Sequence, residues 1–179
     1  WLRGLAARHA DFWQVTADAL DYALAALAID RPGLRTRLLE LYLHLGCYPE
    51  VSETLRRLRA GGLKLAILSN GTPAMLAAVV SHCGLTEVFD AVLSVEEVGV
   101  FKPNPAVYRL ACDRLGIAPE ANCFLSSNAW DAYSAKAFGL RVVWCNRFGQ
   151  PPERIPATPD CEVAELAALP AIVLPARTG

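Results

Sequence analysis

Three short polar clusters stand apart in a largely apolar chain: Ser69-Asn70-Gly71, Lys102-Pro103, and Ser126-Ser127-Asn128-Ala129-Trp130-Asp131. Together they offer hydroxyls, carboxamides, one ammonium and one carboxylate. The first cluster suits an anion, because a hydroxyl, an amide and backbone N–H groups converge beside a helix N-terminus. Its plain alternative is turn chemistry, since all three residues favour turns. Lys102 is either a solvated surface charge or a held one; its neighbours Val98, Val100 and Phe101 are apolar, so the loop packs and can bury the lysine stem while the ammonium reaches the sheet edge. In the third cluster a helix dipole favours Asp131 as a first-turn acid, and Asn128 is a natural cap. That account leaves Ser126, which closes an apolar run, and Trp130 without a role.

The elements that must carry these clusters are readable from periodicity. Residues 1–46 read as helices only: Leu20, Leu24 and Leu27 share one face after Thr16 as N-cap, and a further helix follows Pro32 with Leu34, Leu38, Leu41 and Leu45. After Gly46 short β-type runs alternate with helices, the pattern of βαβ units around a parallel sheet. The expected strands are Leu63–Leu68, Ala91–Val95, Cys123–Ser126, Arg141–Cys145 and Cys161–Val163. Helices are expected to open at Thr72-Pro73, at Asn104-Pro105, and after Asn128, with a last one over Ala164–Leu169. The stretch Pro151–Pro159 reads as a surface loop. The fold class is therefore α/β, a Rossmann-like parallel sheet flanked by helices (residues 47–179) with an all-helical subdomain (residues 1–46). Ligands of open parallel sheets lie outside the carboxyl ends of the strands, where all three clusters fall.

Composition narrows the function. The 179 residues are 54% hydrophobic and 20% charged, with 17 basic against 18 acidic side chains, so the chain has material for a core and no general field for nucleic acid or an anionic membrane. The longest unbroken apolar run, Tyr22–Ile29, is too short to span a bilayer. Six cysteines (47, 83, 112, 123, 145, 161) contain no C-x-x-C pair and read as reduced, packed thiols of a cytoplasmic protein. His9, His44 and His82 read as structural or surface residues. Arg56, Arg57 and Arg59 read as a solvated helix face pairing with Glu50 and Glu53.

Taken together the motifs resemble the haloacid dehalogenase superfamily, and within it the L-2-haloacid dehalogenases. Ser69 in Ile67-Leu68-Ser69-Asn70-Gly71 matches the family's second motif, Lys102-Pro103 its third, and Ser126-Ser127-Asn128-Ala129-Trp130-Asp131 its acidic-loop motif. The likeness also takes in Trp1-Leu2-Arg3, Ala10-Asp11-Phe12 and Trp144-Cys145-Asn146-Arg147. It implies displacement of halide from Cα of an L-2-haloalkanoate by an aspartate carboxylate, then hydrolysis of the ester to the D-2-hydroxy acid. Lys102 would supply positive charge beside the nucleophile. Ser126, Asn128 and Asp131 would position Lys102 and the water, with Asp131 as candidate general base. The resemblance puts Ser69 on the substrate carboxylate, Asn70 on the halide and Tyr108 at the edge, with Phe12 and Trp130 as the apolar wall; Phe12 serves equally as a core aromatic and Tyr108 as a core or rim one.

No metal or other cofactor is expected. Mg²⁺-dependent phosphatases of similar fold place an acid at the strand end, whereas Ser126-Ser127-Asn128 is neutral. The chain departs from the family in one respect: no aspartate sits in an Asp-x-Tyr-Gly-Thr setting after a first strand, and the halide-binding arginine is absent too. The resemblance therefore implies a missing N-terminal segment of ~30–50 residues, a gap in the sheet and an inactive isolated chain. Two other readings stand beside this one: a phosphatase of small metabolites, and a non-catalytic remnant acting in association. Relatives of the family are commonly homodimers, which makes a second copy an expected partner.

Overall fold

The computed structural model describes residues 2–175; Trp1 of the first matching tripeptide lies outside them. Three helices come first: α1 (Leu2–Leu5), α2 (Phe12–Ala26) and α3 (Leu34–Leu41). The cap of α2 is Asp11, whose carboxylate accepts from the Gln14 N–H at 2.8 Å. Thr16, the cap expected from sequence, lies inside the helix and donates its hydroxyl back to the Phe12 carbonyl. A β-hydroxyl can serve either purpose, and Asp11 sits where the turn begins. Arg35 clasps Asp21 with two hydrogen bonds, joining α3 to α2.

The α/β part follows as α4 (Val51–Ala60), β1 (Ala66–Ser69), α5 (Pro73–His82), β2 (Ala91–Ser94), α6 (Pro105–Leu115), β3 (Cys123–Ser126), α7 (Ala129–Phe138), β4 (Arg141–Cys145), β5 (Cys161–Val163) and α8 (Leu169–Val173). Thr72 caps α5 and Asn104 caps α6 through their side chains, each with proline at the first turn, as the sequence indicates. Two boundaries differ. The first strand begins at Ala66, not Leu63, because Leu63 and Lys64 are exposed and Leu65 gives its N–H to the Asp90 carboxylate. The helix expected over 164–169 is a 3₁₀ turn at Leu166–Ala168 followed by α8, with Pro170 in the first turn.

All strand pairs are parallel, but they form two sheets, β1-β2 and β3-β4-β5. The register sets Ser69 opposite Ser94 and Ser126 opposite Trp144. Alternation along the strands sorts the core into two faces. Leu68, Phe124, Val142 and Trp144 pack with α6 and α7 through Tyr108, Cys112, Ala132 and Tyr133. Ile67, Leu125 and Val143 pack on the other side with Leu55 and Leu58 of α4, Val80 of α5 and Leu169 of α8. The interior strand β4 is buried from Val142 to Cys145, whereas β1 and most of β3 are only half-buried. Each of these two strands is an edge of its sheet.

Two sequence expectations change on the surface. Arg56 does pair with Glu53, but Arg59 donates to the carbonyls of Glu87 and Val88, and Glu50 pairs with Arg147 across the fold. Backbone carbonyls brought in by tertiary folding outcompete helix neighbours for a forked guanidinium. All six cysteines are unpaired. No helix among the described residues is long and apolar enough to cross a membrane.

Candidate active site

Ser69 ends β1, Ser126 ends β3, Lys102 lies in the loop before α6, and Asp131 sits in the first turn of α7. Parallel strands deliver their carboxyl ends to one edge, so residues 62 positions apart in sequence share a cleft of about 750 Å³. Its walls include Ser69, Asn70, Lys102, Ser126, Asn128, Trp130 and Asp131, together with Phe12 and Tyr42 from the helical layer.

The floor of the cleft is a buried ion pair. Lys102 and Asp131 are 6% and 3% exposed, and Lys102 Nζ donates to Asp131 Oδ2 at 2.9 Å. The same oxygen accepts from Ser126 Oγ at 2.9 Å, and Oδ1 accepts from the Tyr108 hydroxyl at 2.8 Å. Such a pair is tolerated without water because the carboxylate is hydrogen-bonded on both oxygens. Burial pushes the Lys102 amine below the usual lysine range, against the pull of the Asp131 carboxylate. Its ammonium also lies 4.7 Å from the centre of the Phe124 ring, where the negative π-face favours a cation.

The loop around Lys102 is fixed from β1. Asn70 Oδ1 accepts the Lys102 backbone N–H at 3.0 Å, so the carboxamide that follows the first strand holds the lysine's own main chain. The Lys102–Pro103 peptide is cis. Ser69 Oγ accepts from the Gly71 N–H at 3.1 Å, and Ser94 closes the turn by donating to the Gly71 carbonyl. A Cβ on Gly71 would stand 3.2 Å from a Leu76 methyl, so a larger residue there would push the Leu76 side chain aside.

Asn128 occupies the cap position of α7, yet its side chain makes no capping hydrogen bond; its backbone N–H donates to Ser126 Oγ at 3.3 Å and the residue lines the cleft. Asp131 likewise spends its carboxylate on Lys102, Ser126 and Tyr108. Capping and dipole roles therefore do not account for this segment. Tyr108 is fully buried beneath Asp131 and is not part of the cleft wall; burial and the Asp131 carboxylate raise its phenol far above the ordinary range, so it remains a donor. Phe12 joins both environments: it lines the cleft and packs edge-on against Phe101, ring centres 6.3 Å apart.

Arg147 was not legible as a cleft residue from sequence. It lines the opening, pairs with Glu50, and stacks 3.8 Å over the Tyr48 ring. Its position just after β4 is the one signal that marks it. Among the described residues no three His, Cys, Asp or Glu side chains are grouped to hold a metal ion.

A buried charge pair beneath an apolar-walled cleft, at the carboxyl ends of parallel strands, is the place where α/β enzymes bind their substrates. The chain belongs to the haloacid dehalogenase-like hydrolase family, whose model matches residues 2–139. It is 47% identical over 170 residues to the (S)-2-haloacid dehalogenase of Pseudomonas sp. strain YL, spanning 94% of this chain and 73% of that protein. A crystal structure of a dehalogenase superposes with a TM-score of 0.94 at 43% identity, covering 98% of this chain and 78% of the other. The L-2-haloacid dehalogenase from Xanthobacter autotrophicus with chloropropionic acid covalently bound superposes at 0.89 with 38% identity, covering 97% and 80%.

Proposed function

We propose that this chain serves (S)-2-haloacid dehalogenation: an L-2-haloalkanoic acid is hydrolysed to the D-2-hydroxy acid and halide through an aspartyl ester. The observation that carries the proposal is the neutral strand end Ser126-Ser127-Asn128 beside the buried Lys102–Asp131 pair, where a metal-dependent phosphatase needs further acids. The names of the relatives point the same way.

In this reading a carboxylate attacks Cα from behind the carbon–halogen bond, the halide leaves with the bonding pair, and the configuration inverts. Water then attacks the ester carbonyl, releasing the hydroxy acid and restoring the carboxylate. Lys102 keeps the nucleophile ionised and near. Asp131 and Ser126 hold the Lys102 ammonium in place, and Tyr108 acts through Asp131. To act as general base, Asp131 must first exchange its Tyr108 hydrogen bond for one to water. Ser69 receives the substrate carboxylate, Asn70 the halide, and Asn128 the water. Phe12 and Trp130 strip solvent from the carbon–halogen bond.

Asp131 is the only acid among the described residues lining the cleft, and its carboxylate is occupied. The nucleophile is therefore assigned to a strand seated between β1 and β3. Two half-buried edges whose ends both line the cleft support that slot. Residues 1–46 act as a cap, a role supported by Phe12, Tyr42 and Leu45 in the cleft wall. A second copy packs on the exposed apolar residues of this layer, among them Leu2, Leu5, Tyr22 and Leu27. Six unpaired thiols fit a reducing compartment such as the cytoplasm.

The test is halide release from L-2-chloropropionate without added divalent metal. The 179 residues alone are expected to release none, and a chain that also carries an aspartate-bearing strand in the slot is expected to turn over with inversion. Turnover by the 179 residues refutes the slot. Mg²⁺-dependent release of phosphate from an aryl phosphate, with no halide release, refutes the dehalogenase.

A further inference from the structure

Cys47 and Cys83 meet where the stretch leading out of α3 crosses the end of α5. Cys83 is the C-cap of α5, and its thiol donates to the carbonyl of Leu45, 38 positions earlier, at 3.5 Å. One residue back, the His82 ring meets His44 edge-on with centres 5.8 Å apart. These two contacts hold the stretch 44–48 against the helix end, so Cys47, two positions past Leu45, lies beside Cys83. Cys47 is exposed and Cys83 half-buried, so an oxidant in solution reaches the pair.

The remaining cysteines have no such partner. Cys112 and Cys145 are buried. Cys123 and Cys161 lie on β3 and β5, on opposite sides of β4. Two interstrand spacings separate them by about 9–10 Å, beyond the ~7 Å Cα reach of a disulfide.

We propose that Cys47 and Cys83 are a reversible modification site, a thiol pair that closes to a disulfide and staples the stretch 44–48 to α5. With oxidised glutathione as the disulfide oxidant, one protein thiolate attacks a glutathione sulfur and expels glutathione thiolate. The second protein thiolate then attacks the mixed disulfide and expels the other. The sum is two protein thiols and one glutathione disulfide giving one protein disulfide and two glutathione thiols, with two electrons passing from protein to oxidant. Partial desolvation at the contact and the neighbouring thiol push Cys47 up to about 11, so the exchange is run under alkaline conditions where more thiolate forms.

The staple acts on the cleft. Tyr42, Leu45 and Tyr48 line one wall beside Met75, Leu76 and Val79 of α5, so closing the bond fixes the two segments to each other. It also closes a loop in the unfolded chain, which raises the melting temperature by roughly 5–15 °C.

The experiment treats the protein with oxidised glutathione and maps its peptides without reduction. Expected are one cross-linked species joining residues 47 and 83, a higher melting temperature, reversal of both by dithiothreitol, and loss of both in Cys47→Ser and Cys83→Ser but not in Cys123→Ser. A glutathione adduct that persists on either cysteine without closure overturns the proposal. So does a bond joining any other pair, or a cross-link that leaves the melting temperature unchanged or lowered.

Discussion

Replacing Lys102 by methionine strands a carboxylate. Asp131 would keep its hydrogen bonds from Ser126 and Tyr108 but lose the ammonium 2.9 Å from Oδ2, in a site where it is 3% exposed. At 2.9 Å and an effective dielectric constant of ~20, the lost attraction is about 6 kcal/mol. The net cost is smaller because the unfolded chain hydrates both charges, and about 3–5 kcal/mol is expected. Methionine conserves the bulk over the Phe124 ring, so little of this is packing. Asp131→Asn strands the ammonium in turn and costs a similar amount. The double variant buries neither charge, and is expected to be more stable than the sum of the two losses predicts by about 2 kcal/mol or more. Urea unfolding of the four proteins, extrapolated with one common slope, reads this coupling directly. Losses that add to within ~0.5 kcal/mol would refute the stranded-charge reasoning.

Two further outcomes follow from the same contacts. Tyr108→Phe keeps the ring edge-on to Phe124, centres 5.8 Å apart, but leaves Asp131 Oδ1 without a buried donor; a loss of about 1–3 kcal/mol is expected in thermal unfolding, and an unchanged midpoint argues against the hydrogen bond. Asp160 has a carboxyl held below the usual range: burial works against this, but the Lys136 ammonium at 2.7 Å and the Val142 N–H outweigh it. A depressed carboxyl contributes stability above its unfolded value near pH 4, lost as the pH falls through the folded value. Asp160→Asn should therefore flatten the acid limb of a stability-against-pH curve followed by circular dichroism; superimposable acid limbs would contradict it.

Local signals located the site better than its internal wiring. Strand β3 and the β4 and β5 boundaries are readable because each is a short apolar run ended by polar residues. Thr72 and Asn104 are readable as caps because proline follows each at the first turn. Thr16 was misleading because a hydroxyl also satisfies a carbonyl four residues back. Arg59 was misleading because its partners are backbone carbonyls some 28 positions away, which carry no residue-type signature. Glu50 and Arg147, 97 positions apart, are invisible to any helical spacing rule.

By itself the amino-acid sequence determined the α/β class, the absence of an acid at residues 126–128, and which polar side chains reach the carboxyl edge of the sheet. These follow from chain-local physics: side-chain period, turn chemistry and residue charge. Only the tertiary structure decided that Lys102 and Asp131 neutralise each other out of water, that Tyr108 lies beneath the site, and that the strands split into two sheets with facing roles at the cleft. Pairing and desolvation depend on distances between elements, and those distances exist only once the helices and strands have packed.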